Sequence, residues 1–191
     1  MPPFPPLYLL RHGQTDWNRD GRVQGQMESD LTDLGRAQAA RQGEILKALD
    51  LPPGIAACAS PLRRTRQTAD IALGAAGLVP RFDARLKEVH LGRWEGQLYA
   101  DLARAEPAVF DGNSVLRICL SGPGEGADTL RARIAAFLDD LTGPAVVVSH
   151  GVALSVLRGI VLNAGMDEME AMSRDQGVVW ELRDGREITH R

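Results

Sequence analysis

Apolar residues along this chain fall into short continuous runs that alternate with stretches of helical spacing. Leu7–Leu10 is such a run, preceded by prolines and followed by the charged turn Arg11-His12, the pattern of a buried strand emptying into a loop. Gly13 to Asp33 is polar and turn-forming, and Leu34 to Leu49 then carries apolar positions at helical spacing behind Thr32 as a cap, with Pro52, Pro53 and Gly54 as the stop. Ile55–Ala59 predicts a second buried strand, with an Arg- and Ala-rich helix from Pro61 to Ala76 directly after it, so a strand-to-helix junction falls at Ser60. Pro80–Phe82 reads as a short strand, Gln97 to Ala105 as a helix, Pro107 to Gly126 as irregular, and Asp128 to Leu141 as an amphipathic helix. Ala145–Ser149 is the strongest buried-strand pattern in the chain; His150 and Gly151 stand at its end, before a helix over Val152–Leu162. Gly177–Leu182 and Arg186–Thr189, joined by Asp184-Gly185, predict a terminal hairpin.

This alternation predicts a three-layer α/β/α sandwich with a mostly parallel central sheet, an antiparallel edge strand and a small cap segment at about 97–143, all within one domain over residues 1–191. Ligand sites in such sheets lie beyond the carboxyl ends of the strands. Three polar sets follow predicted strands: Arg11 with His12, Ser60 with Arg63 and Arg64 a few residues on, and His150. Each alone reads as an ordinary loop or solvated-face residue. Their convergence at one sheet edge would instead make a pocket of directed donors for an anion, for which a phosphoryl group is the natural occupant.

Composition narrows the partners. A length of 191 residues suffices for a core without disulfides, and a net charge of −3 gives no global basic footprint, which argues against nucleic acid and requires any phosphate to be held by a local cluster. The N-terminus lacks a positive leader region and its apolar stretch is interrupted by prolines, so neither a signal peptide nor a membrane span is expected. Cys58 and Cys119 lie far apart without metal-binding spacing, as in a cytoplasmic protein with reduced thiols. His12, His150 and Glu88 lack an HExxH pattern or an acidic cluster, and two arginines beside them oppose a cation, so no metal and no cofactor are expected. GPGEG at Gly122–Gly126 fits neither phosphate-loop spacing and reads as a loop before the Asp128 helix, while His90 and His190 read as surface residues.

RHGQTDWN at Arg11–Asn18, VQG at Val23–Gly25, SPLRRTRQTA at Ser60–Ala69, LKEVHLGRWEG at Leu86–Gly96 and SHG at Ser149–Gly151 together resemble, in order and spacing, the histidine phosphatase superfamily in its phosphoglycerate mutase-like branch. The resemblance spans most of the chain. It implies that His12 is a nucleophile that becomes phosphorylated, that Arg11, Arg64 and His150 form the phosphate pocket, that Asn18 adds a contact, and that Glu88 is the proton donor. Gln24, Gly25 and Gly151 fall among the substrate-binding positions, whereas Arg63 occupies a variable one. Physically, a neutral imidazole is nucleophilic and neighbouring cations disfavour its protonation, while Arg11, Arg64 and a protonated His150 would hold the charge of the transferring group. Apart from the resemblance, Glu88 reads equally as a surface carboxylate beside Lys87.

In the mutases of this family an Arg commonly follows the acid and an Asn the second His-Gly pair; here these are Val89 and Val152, and GRWEG after Glu88 resembles the phosphatase members. The expected function is therefore hydrolysis of a phosphate monoester, on a small phosphorylated metabolite, by an enzyme that could self-associate. The alternatives are a bisphosphoglycerate-dependent mutase and a phospho-ligand binding module without turnover. Arg104, Arg117 and Arg131 are candidates for a second anion, with solvated-face roles as the simpler reading.

Overall fold

The computed structural model describes residues 4–191; Pro2 and Pro3 of the N-terminal proline pattern fall outside them. The predicted strands form as β1 (Leu7–Arg11), β2 (Ala56–Ala59), β3 (Arg81–Phe82), β4 (Ala145–Ser149), β5 (Val179–Arg183) and β6 (Arg186–His190). They make one sheet in the order β3-β2-β4-β1-β5-β6. β1, β2, β3 and β4 pair in parallel, and β5 is antiparallel to both of its neighbours. The antiparallel strand β5 is thus internal and buried, and the edges of the sheet are the exposed β3 and the largely exposed β6. Asp184 and Gly185 both hold positive φ, 51° and 70°, the conformation that a two-residue hairpin of correct twist requires.

The two faces of the sheet are sorted by the alternation of side chains along a strand. Tyr8 and Leu10 of β1 and Val146 and Val148 of β4 point to one face, where α2 (Asp33–Ala48) and α3 (Arg63–Ala75) cover them through Leu46, Ala69, Ala72 and Leu73. Leu7, Leu9, Ala145 and Val147 point to the other, beneath α7 (Gly126–Asp139) and α8 (Gly151–Leu162). Each wholly buried Leu contributes about 1.5–3 kcal/mol, which is why the continuous apolar runs are confined to the central strands. Helix α8 is buried from Gly151 through Gly159, as its nearly all-apolar sequence demands, and ends on Asn163 in the left-handed region. Among the described residues no helix is long and apolar enough to cross a membrane.

Three segments differ from the sequence reading. The polar stretch after Gly13 contains a one-turn helix, α1 (Asp16–Arg19), closed by a reciprocal capping box between Thr15 and Asn18. Pro107–Gly126 is not irregular: after α4 (Tyr99–Ala105) come α5 (Pro107–Phe110) and α6 (Val115–Ser121). Pro107 starts the first, and Ser114 caps the second by accepting from Arg117 N–H at 3.2 Å. Helices of one or two turns are too short to hold alone; burial of Phe110, Leu116, Ile118 and Leu120 holds these. A further short helix, α9 (Met166–Ala171), follows α8 where no element was read.

Gly13 and Gly35 allow the loop after β1 to lie directly on the first turn of α2. A Cβ on Gly35 would sit 2.0 Å from the Gln14 carbonyl oxygen, and one on Gly13 2.1 Å from that of Gly35. Backbone lies on both sides, so neither clash can be relieved by a side-chain rotation. Gly35→Ala is expected to lower stability by about 1–3 kcal/mol with an unchanged m-value, measured by urea unfolding.

Candidate active site

The strand order β2-β4-β1 brings the ends of three parallel strands together, and with them the three polar sets. His12 N–H donates to Ser149 O (3.1 Å) and Ser60 N–H to Val148 O (2.9 Å), so each loop leaves the sheet tied to the neighbouring strand. A cavity of about 470 Å³ opens above this edge, lined by Arg11, His12, Asn18, Gln24, Gly25, Arg64, Glu88 and Gly151. The structure thus gathers every site residue of the sequence reading except His150, which is fully buried directly behind His12, their ring centroids 5.2 Å apart.

Hydrogen bonds fix both imidazole tautomers. His12 Nδ1 lies 2.8 Å from Gly13 O, an acceptor only, so Nδ1 carries the proton and Nε2 keeps its lone pair. His150 Nδ1 accepts from Arg64 Nε (3.2 Å), so Nε2 carries its proton and donates to Ser60 Oγ at 2.7 Å. A guanidinium N–H and an imidazolium N–H cannot share that position. The expectation of a protonated His150 is therefore corrected: His150 is neutral and serves as an acceptor for Arg64. Burial first, and then the Arg64 and Arg11 charges, hold the His12 pKa well below its usual value. Burial followed by Arg64 does the same for His150.

The two guanidinium groups are buried and held by carbonyls. Arg64, on the first turn of α3, donates through Nη1 to Met27 O (2.8 Å) and through Nη2 to Gly25 O (2.7 Å). Burial lowers its pKa to about 10. Gly25 makes the close loop that presents its carbonyl: φ is +51°, and a Cβ would meet the Glu95 carboxylate at 2.0 Å. Arg11 donates Nη1 to Arg174 O, its own carbonyl accepts from Gln42 Nε2 (3.0 Å), and its buried Nε–H has no protein partner. Gly151, at the start of α8, lies alongside this side chain, its Cβ position in van der Waals contact at 3.4 Å from the Arg11 guanidinium. Asn18 Oδ1 accepts from Thr15 N–H (3.2 Å), which leaves the amide N–H₂ for the cavity it lines. Gln24 Oε1, like Arg11 Nε, is buried without a partner.

Glu88 faces these groups across the cavity. Its Oε1 accepts from Val89 and Ala153 N–H, each at 3.0 Å, and Oε2 from Val152 N–H at 3.1 Å, so the carboxyl group sits on the N-terminus of α8 with one lone pair of Oε2 uncommitted. It is not a surface carboxylate beside Lys87. Arg133 grips the backbone behind it, donating to Lys87 O (2.7 Å) and Glu88 O (2.9 Å) while paired with Glu125. Sequence reading missed Arg133, Glu125 and Gln42, because nothing local distinguishes a long polar side chain on a helix that folds back onto a distant carbonyl. His90 is exposed and His190 pairs with Glu181 at 2.9 Å on the hairpin, as surface roles imply. Arg63 lies outside, paired with Asp30. Arg104 and Arg117 pair with carboxylates of their own helices or of α9, and Arg131 is exposed. Among the described residues no group of three or more His, Cys, Asp or Glu is placed to hold a metal ion.

Comparison with known proteins identifies the family. The family model of the histidine phosphatase superfamily (branch 1) matches residues 7–187. A Salmonella paratyphi A protein named "Probable phosphoglycerate mutase GpmB" is 36% identical over 163 residues, covering 82% of this chain and 74% of its own. A structure from Escherichia coli K-12, named "putative alpha-ribazole-5'-P phosphatase", superposes with TM-score 0.79 at 25% identity over 98% of this chain and 95% of the other. A mycobacterial glucosyl-3-phosphoglycerate phosphatase superposes with TM-score 0.75 at 29% identity, over 94% and 92%.

The depressed imidazoles set the acid side of stability. Above pH ~6.5 both His12 and His150 are neutral in native and unfolded chains. Below it the unfolded chain binds protons that the native site refuses, so stability falls as pH drops toward the lowered native values, by up to about 1.4 kcal/mol per pH unit for each imidazole. Urea unfolding between pH 7.5 and 5 should show this loss, and His12→Gln should make its slope shallower; an unchanged slope would contradict the assignment.

Proposed function

The chain belongs to the histidine phosphatase superfamily, and we propose that it hydrolyses phosphate monoesters in two steps through a phosphohistidine at His12. The observation that carries this reading is the free Nε2 lone pair of His12, held by the Gly13 carbonyl and flanked by two buried guanidinium groups, with Glu88 across the cavity. The charges of Arg11 and Arg64 and the Asn18 amide surround the place where a phosphoryl group meets Nε2, and they supply the electrostatic stabilisation that such transfer needs. In the first step Nε2 bonds to phosphorus, the bond from phosphorus to the ester oxygen breaks, and that oxygen takes a proton from Glu88. In the second, a water oxygen bonds to phosphorus as the Nε2–phosphorus bond breaks, and the water proton returns to Glu88. The products are the alcohol and inorganic phosphate, and His12 is restored as a neutral imidazole.

Two features support water as the second acceptor. Val89 and Val152 border the cavity where mutases of the family carry an Arg and an Asn, so nothing polar there retains a second phosphorylated intermediate. The scheme needs no metal, because the two arginines already provide positive charge. The unbridged thiols of Cys58 and Cys119 support a cytoplasmic setting, and the substrate is read as a small phosphorylated metabolite. A mutase is the second reading, favoured by the name of the Salmonella relative; conversion of 3-phosphoglycerate to 2-phosphoglycerate stimulated by a bisphosphate would establish it.

His12→Ala should lower kcat for para-nitrophenyl phosphate by at least about 10³-fold, and acid-labile, base-stable phosphate trapped by rapid quench should disappear with it. Turnover that survives this substitution would sink the mechanism. Glu88→Gln should slow alkyl phosphates about 10²–10⁴-fold but para-nitrophenyl phosphate far less, since a good leaving group needs no proton. Equal losses on both substrates would remove Glu88 as the donor.

A further inference from the structure

The end of the cavity opposite His12 is built differently from the phosphate end. Trp94, Phe110 and Tyr99 form an aromatic cluster there, with Phe110 at 5.3 Å and 59° from Trp94 and at 5.2 Å and 74° from Tyr99. Trp94 turns its one polar atom away, donating Nε1–H to Glu106 Oε1 at 2.9 Å. α6 completes the wall with Val115, Ile118 and Cys119. Burial pushes the Cys119 thiol up to about 12, so this side chain adds no charge.

The cations of the helical insertion are spent elsewhere. Arg93 pairs with Glu106 at 3.0 Å, Arg104 with Asp101, and Arg117 with Asp167 and Glu170 at 2.6 Å each. Two further arginines border the cavity without a carboxylate partner. Arg174 lies close enough to Arg11 for their charges to repel, and its charge also reaches Cys119 on α6. Arg22 donates to Gly96 O and lies 5.6 Å from the Trp17 ring, on a segment that pairs with Leu98 beside Tyr99. The aromatic and aliphatic carbon of this wall offers a polar substituent on the alcohol portion no hydrogen-bond partner. An apolar ring would gain both area burial and edge-to-face ring contacts.

We infer that the alcohol portion of the substrate is an apolar, ring-bearing group seated on the Trp94-Phe110-Tyr99 cluster and α6. The inference rests on the monoesterase reading. Val115 is half exposed at the mouth of this wall, so it can be changed without opening the core.

The test keeps the leaving oxygen alkyl throughout: 3-phenylpropyl phosphate, propyl phosphate and 3-phosphoglycerate are compared by kcat/KM. The phenyl substrate should exceed both others by about 30-fold, and Val115→Asp should reduce that ratio about tenfold. Equal values, a preference for 3-phosphoglycerate, or a ratio indifferent to Val115→Asp would overturn the inference while leaving the hydrolase reading intact. If none of the three is turned over, the hydrolase reading falls, and calorimetric binding of 3-phenylpropylphosphonate against propylphosphonate decides the pocket separately. A Kd advantage of about 30-fold for the phenyl ligand upholds the apolar site, and equal Kd values overturn it.

Discussion

Two guanidinium charges, Arg11 and Arg64, are buried beside two imidazoles at the carboxyl edge of the sheet, and the cost of desolvating those charges constrains everything around them. An ion taken out of water costs several kcal/mol even after relaxation unless its N–H groups find acceptors. Here the acceptors are neutral: the carbonyls of Gly25, Met27 and Arg174, and the ring nitrogen of His150. Neutral acceptors orient a cation without cancelling its charge. The positive potential is thus kept for an incoming anion, and burial, reinforced by that potential, keeps His12 and His150 unprotonated. Nucleophile and anion pocket are consequences of one arrangement.

Because carbonyls do this work, the loops that bear them must be held exactly where the cations need them. Gly25 takes a positive φ against Glu95 to present its oxygen, and Gly13 and Gly35 bring the first loop onto α2. Gln42 bridges Arg11 O and Val178 O, tying β1 to the segment before β5. On the opposite wall the start of α8 offers two backbone donors to Glu88, and the Arg133–Glu125 pair holds the loop on which Glu88 sits. The insertion formed by α4, α5 and α6 adds no charge of its own to the site, since its arginines are neutralised locally. The cavity consequently has one strongly polar pole and one apolar wall.

Much of this was legible in the sequence where the signal is local and repeated. Leu7–Leu10 and Ala145–Ser149 are apolar on both faces and can only be central strands. Thr32 caps α2 where a cap was read, and the Asp184-Gly185 hairpin closes as its residues require. Strand ends followed by polar residues point to His12, Arg64 and His150 at one sheet edge, and the ordered motifs add Glu88. Less legible were α5 and α6, whose few turns have no stability of their own and exist because Phe110, Leu116 and Ile118 find a core to enter. The charge state of His150 was misread because it depends on which atom of Arg64 faces it, a matter of 3.2 Å between residues far apart in the chain.

By itself the sequence determined the layer order of the fold, the residues that gather at the sheet edge and the family to which they belong, because periodicity, turn chemistry and motif spacing are properties of neighbouring residues. Only the tertiary structure decided the His12 and His150 tautomers, the seating of Glu88 on α8, the part played by Arg133 and Gln42, and the apolar wall opposite the phosphate end. Each of these depends on distances between groups that chain order leaves free. Hydrogen bonds and burial act over a few ångströms, and a sequence records that scale only along the backbone.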